Sequence, residues 1–141
     1  MENTSDRQIL EQPEESYMDI GQLDFFKARL QAKSADLRNR LRRYQASCEI
    51  ERHPDAADFA SDEEQRAMAV TMIERDKVAL GHINRALDAL AHGDYGFCLE
   101  TGEPIGLARL LLVPESLYSV ESMRVREVKG PTRGRVIGKV L

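Results

Sequence analysis

The chain has no tryptophan, few aromatics, two cysteines and no excess of positive charge, and each shortage removes a class of protein. Aromatics make up 6% of its 141 residues, so a large compact core would have to come mainly from Leu, Ile, Val, Met and Ala. Long amphipathic helices use that alphabet naturally. Cys48 and Cys98 stand far apart, too few for a disulfide framework and in keeping with a reducing compartment. No apolar run approaches the roughly 18 to 20 residues that cross a bilayer, and the opening residues lack the pattern of a signal peptide. A cytoplasmic protein is expected. A net charge of −4 argues against affinity gained by neutralising phosphates, so direct DNA binding is disfavoured.

The charge that is present is unevenly spread. Residues 1–20 carry Glu2, Asp6, Glu11, Glu14, Glu15 and Asp19 against Arg7 alone, and with Pro13 they read as a flexible acidic arm. Residues 129–141 read as a mobile basic tail, with bases running back to Arg124.

Between these ends the hydrophobic period carries the information. Leu23, Leu30, Leu37 and Tyr44 recur every seven residues, with Phe26 and Leu41 beside them, which predicts a long helix to about Ile50. Pro54 ends it or forces a break. Ile73, Leu80 and Leu87 repeat the spacing, with Ala69, Ile83 and Leu90 in complementary places, and Gly93 stops the second helix. Ser61 and Glu64 have capping-box spacing and predict its start. Two helices joined by a short break pack antiparallel. The fold class is therefore mainly α: a long antiparallel coiled coil over 21–92 with its tip at 51–61, and a small globular domain over 93–128. Fewer than 50 residues between Gly93 and the end cannot cover both helices, so most of the hairpin projects into solvent. After Gly93 a turn at Thr101-Gly102 suggests a short hairpin. Leu107–Val113 reads as a helical turn or buried strand, and Glu115–Val128 as a C-terminal helix ended by Gly130-Pro131.

At the tip, Asp55 and Asp58 are three apart, which puts both carboxylates on one side of a turn or incipient helix. A stiff arm ending in negative charge can probe a deep basic or metal-containing cavity. Equally, Asp58 can simply cap the second helix while Asp55 opens a turn.

Tyr17-Met18, Gln22-Leu23, the tip Asp55-x-x-Asp58-x-Ala60, then Asp94-Tyr95-Gly96-Phe97-Cys98 and Gly102-x-x-Ile105-Gly106 together resemble the DksA/TraR family, ungapped from about residue 17 to 123. The resemblance implies a coiled coil that enters the RNA polymerase secondary channel without binding DNA. It also implies a globular base on the channel rim, and altered output of ribosomal-RNA and amino-acid promoters together with guanosine tetraphosphate, bound jointly with polymerase. By the same likeness Asp55, Asp58 and Ala60 form the active-site tip and Arg109 is a rim candidate. Arg75 is a candidate for the alarmone, while His82 and Met123 stand where relatives carry Lys.

Family members commonly hold zinc with four cysteines, whereas the matching positions here are Cys98, Thr101, Ser119 and Ser122. Hydroxyls stay protonated and are poor zinc ligands, so the chain resembles a zinc-independent member, expected to bind no metal. Arg75 can also be a solvated helix charge, and Arg109 ordinary surface charge. His92, outside the zinc pattern, reads as a favourable charge at a helix C-terminus.

The leading reading is a monomeric, non-enzymatic effector of polymerase. Three alternatives remain. A transcript-cleavage-like factor would place tip carboxylates on a second Mg²⁺. A structural coiled coil would dimerise through its stripes. A thiol-redox enzyme would need a second sulfur beside Cys98, where Thr101 stands.

Overall fold

A computed structural model describes residues 5–48 and 56–129. In chain order it forms α1 (Asp6–Leu10), a 3-10 turn (Glu14–Ser16), α2 (Ile20–Cys48), α3 (Ala56–His92), α4 (Leu107–Leu112) and α5 (Val120–Lys129). The fold is mainly helical, as composition and period predict. Extended pairing among the described residues is limited to one antiparallel bridge, Phe97 with Pro104.

Helices α2, of 29 residues, and α3, of 37, make the long hairpin. At about 1.5 Å per residue they extend roughly 43 and 55 Å. On α2 the buried line runs Gln22, Phe26, Leu30, Ser34, Leu37, Leu41, a spacing of three and four that keeps one face toward α3. The predicted seven-residue line shares Leu30 and Leu37 with that face, while its ends, Leu23 and Tyr44, are only half-buried at the flank. On α3, Asp76, Ile83 and Ala86 are buried, and Leu80, Leu87 and Leu90 half-buried beside them.

The second helix starts earlier than Ser61. It begins at Ala56, so Ser61 lies inside α3 and does not cap it; the run Ala56-Ala57-Asp58-Phe59-Ala60 contains good helix formers and no breaker. Part of the expected tip, 56–61, is thus the opening of a helix. Gly93 ends α3 as anticipated. It takes φ 81, and Asp94 N–H reaches back to Ala89 O at 2.8 Å.

Residues 5–20 depart from the expected flexible arm. Ser5 and Gln8 cap α1 reciprocally, and Ile9 is 1% exposed in the core. Arg29 of α2 binds Asp6 at 2.5 Å and lies over the Phe25 ring. The Tyr17 hydroxyl donates to Gly96 O at 2.6 Å and accepts from Gly106 N–H at 2.9 Å, tying this segment to the globular domain. Gly96, at φ 93, leaves the room Met18 needs: a Cβ there would sit 2.6 Å from Met18 Cγ. Acidic composition hides this docking, because the apolar contribution comes from single residues rather than a stripe.

The C-terminal helix is shorter than expected and starts at Val120. Residues 115–119 are drawn into tertiary bonds instead. Leu99 N–H donates to Leu117 O, and Tyr118 O accepts from both Arg109 Nε and Ser116 Oγ. Ser119 Oγ then accepts from Ser122 N–H, three residues on, and caps α5. The core gathers where the hairpin meets this domain: Phe26, Leu30, Ile83, Ala86, Tyr95 and Leu110 are buried together with Ile9.

Candidate functional site

Three groups of sequence-derived candidates fall in different parts of the molecule. Cys98, Thr101, Ser119 and Ser122 come together beneath α5. Cys98 Sγ lies 3.2 Å from Ser122 Oγ, Thr101 Oγ1 accepts from Glu103 N–H, and Ser119 Oγ accepts from Ser122 N–H. Every hydroxyl is engaged locally, and no buried side-chain polar atom among the described residues lacks a partner. Burial works to raise the Cys98 thiol. Hydrogen bonds from Ser122, from the Ser119 backbone and from Thr101 outweigh it and bring the pKa down to about 6. The Cys98 sulfur thus sits among hydrogen-bonding groups that link the 98–101 turn to the start of α5.

Arg109 and Arg75 face neighbouring hollows at the junction of α3 with the globular domain. Arg109 Nε is fixed by Ser116 Oγ and Tyr118 O, both at 3.1 Å. It lines a hollow of about 570 Å³ with His82, Arg85, Tyr118, Met123 and Arg126. Arg85 donates to His82 Nδ1 at 2.8 Å, and Arg126 lies over the Tyr118 ring, 4.0 Å from its centre. Arg75 is exposed, reaches Met72 Sδ at 3.9 Å, and borders a shallower hollow with Val78 and Ala79. The two hollows share His82 and Glu115. Glu115 is held by Lys33 of α2 at 2.8 and 2.9 Å and Arg126 by Glu100 at 3.2 Å, while Glu74 lines the hollow beside Arg75, so the larger hollow, with Arg85 and Arg109, is the more basic of the two.

The tip is the third group. Asp55 lies outside the described residues, as does the basic tail from Gly130 on. Asp58 and Ala60 fall in the first turns of α3 and their side chains are likewise outside the described ones, so the far end of the arm is defined by the helix that leads to it. Composition and period overlooked two further residues. Buried Gln22 accepts from Met18 N–H and donates to Gln12 Oε1, locking the entry to α2. Asp76, buried in the hairpin seam, is bound by Arg40 through two bonds of 2.8 Å. That arginine holds the carboxyl below the ordinary carboxylate range against the opposing effect of burial. The Ser5-x-x-Gln8 spacing is the sequence signal that could have revealed α1.

Residues 93–121 match the prokaryotic dksA/traR C4-type zinc finger. Over 116 residues the chain is 38% identical to the RNA polymerase-binding transcription factor DksA of Caulobacter vibrioides, covering 81% of this chain and 82% of that protein. The chain belongs to the DksA/TraR family. The DksA of Escherichia coli K12 is 27% identical over 121 residues, 84% of this chain and 80% of that protein. The solved structure of transcription factor DksA2 from Pseudomonas aeruginosa superposes with a TM-score of 0.79 at 42% identity, covering 89% of this chain and 98% of that one.

The zinc that the family description implies does not fit the residues present. One thiol and three locally bonded hydroxyls are a poor donor set for a site that needs about four thiolates or imidazoles. No cluster of three or more His, Cys, Asp or Glu suited to a metal occurs among the described residues. Elemental analysis of the purified protein should find no stoichiometric zinc, and a strong chelator should leave the melting temperature unchanged. One zinc per chain, lost together with the fold, is the contrary result. No helix among the described residues is long and apolar enough to cross a membrane.

Proposed function

We propose that this chain is a transcription regulator that binds RNA polymerase directly. Its arm enters the secondary channel, Asp55 and Asp58 act near the catalytic centre, and the globular base docks on the rim through Arg109. The observation that carries the reading is a long α2–α3 arm, with Asp58 in the first turn of α3 and the family's globular domain at the other end, in a chain 38% identical to a DksA. An acidic probe on a stiff support can perturb a metal-containing site without making or breaking a bond itself. The chain then works in the cytoplasm as a monomer, without zinc and without contacting DNA.

Guanosine tetraphosphate is the proposed co-effector, shared with polymerase at the hollows beside Arg75 and Arg109. Guanidinium groups suit phosphate recognition through paired hydrogen bonds. His82 and Met123, where relatives carry Lys, lower the charge available and predict weaker synergy.

The test is a pull-down with core polymerase followed by initiation at a ribosomal-RNA promoter, with and without guanosine tetraphosphate. Asp58→Asn removes charge with little change of shape. Binding should persist while inhibition falls by about tenfold or more, since a hydrogen bond to a charged group contributes about 1.5 to 3 kcal/mol. Asp55→Asn should act in the same direction. If both variants bind and inhibit like the parent, the tip serves only as a helix cap. Mg²⁺-dependent shortening of nascent RNA that disappears in Asp58→Asn would instead favour a cleavage factor.

A further inference from the structure

The heptad line of α3 runs Ala69, Asp76, Ile83, Leu90, and one of its four positions carries a charge. Asp76 is 5% exposed. Arg40 reaches across from α2 and grips its carboxylate with Nε on Oδ2 and Nη2 on Oδ1, a paired geometry that fixes direction as well as distance. The position of this pair matters as much as its chemistry. On the globular side the seam is well buried, through Leu37, Leu30, Ile83 and Ala86, and buried Leu41 lies level with the pair, next to Arg40. On the tip side, no residue described in 42–46 or 61–75 is fully buried, and Tyr44, Ala69, Met72 and Ile73 are only half-covered.

Apolar contact is non-directional, so a sparse stripe of Ala, Met and Ile tolerates small rotations and offsets of one helix on the other. A buried carboxylate with a two-point partner does not, since any offset leaves the charge unpaired. Buried polar residues in coiled coils are best attested in this role, fixing register rather than adding stability.

We infer that Asp76 and Arg40 are positioning residues: a clasp at the boundary between the buried and the open halves of the arm that sets where the tip points. For the effect on transcription, this rests on the reading proposed above. The placement of the helices can be measured without polymerase.

In the full chain, Arg40→Leu with Asp76→Leu replaces the clasp by an apolar pair, and Arg40→Asp with Asp76→Arg exchanges its charges. Spin labels at Ala46→Cys and Met68→Cys, in a Cys48→Ser background that leaves buried Cys98 in place, report the distance across the distal arm. The parent should give a single narrow distance. The leucine pair should keep the parental melting temperature or exceed it, yet broaden the distance or add a second population. The exchanged pair should restore much of the narrow distribution. With polymerase, the leucine pair should bind like the parent while inhibition drops by about tenfold or more, as expected when a working group is misplaced by an ångström or so. A leucine pair with the narrow parental distance overturns the clasp, whatever polymerase does. A broadened distance with full inhibition overturns its link to the tip. If the distance broadens and the parent itself fails to inhibit, the functional reading fails and the clasp stands.

Discussion

Leu37→Glu should unfold much of the arm and abolish polymerase inhibition in one step. Leu37 is buried in the seam, with Leu41 one turn toward the tip and Leu30 two turns toward the base on the same face of α2. A carboxylate there is buried without a partner or forces the helices apart, at about 3 to 5 kcal/mol. Apart from the Arg40–Asp76 pair, this part of the hairpin has little support, since the globular domain packs near Phe26 and Leu30. Circular dichroism should lose helical signal, and the promoter assay should lose inhibition in parallel. Leu80→Glu should be milder than Leu37→Glu, because Leu80 is only half-buried. Arg38→Glu, at an exposed site on the outer face, should leave helicity intact. Full helicity and activity in Leu37→Glu would mean the stripes do not face each other.

Tyr95→Ala should be comparably damaging, but at the base. The ring is 1% exposed, packs 5.7 Å from Phe26, and its hydroxyl donates to Pro114 O at 2.7 Å. Burial, with Tyr17 and Glu115 nearby, pushes its pKa up, so the hydroxyl stays a donor at any working pH. Removing the ring leaves a cavity where α2, α3 and the globular domain meet, and such truncations cost about 3 to 5 kcal/mol. Chemical denaturation should show that loss. Tyr95→Phe keeps the packing and strands only the Pro114 carbonyl, at about 1 to 3 kcal/mol. A Tyr95→Ala variant within about 0.5 kcal/mol of the parent would show that the domain is held by other contacts.

How much of this is legible in the linear chain depends on the range of the interaction that decides it. The hairpin is legible because Leu30, Leu37, Leu80 and Leu87 repeat at the period of a helix face, and Gly93 stops the second helix through its own backbone freedom. The loss of the zinc ligands is legible too, since Thr101, Ser119 and Ser122 cannot be thiolates wherever they lie. Asp76 is not legible: a charge in an apolar stripe looks like solvent until the facing helix supplies Arg40. The docking of residues 5–20 is equally hidden, because it rests on Ile9, Tyr17 and Gln22 meeting partners as far as 89 residues away. The same holds for α5, whose start is set by Tyr118 O and Leu117 O taking donors from other segments. Periodicity and side-chain identity act through near neighbours, so they settle helices, stops and ligand chemistry. Burial of polar groups depends on which distant surface closes over them, and that is known only once the chain has folded back on itself.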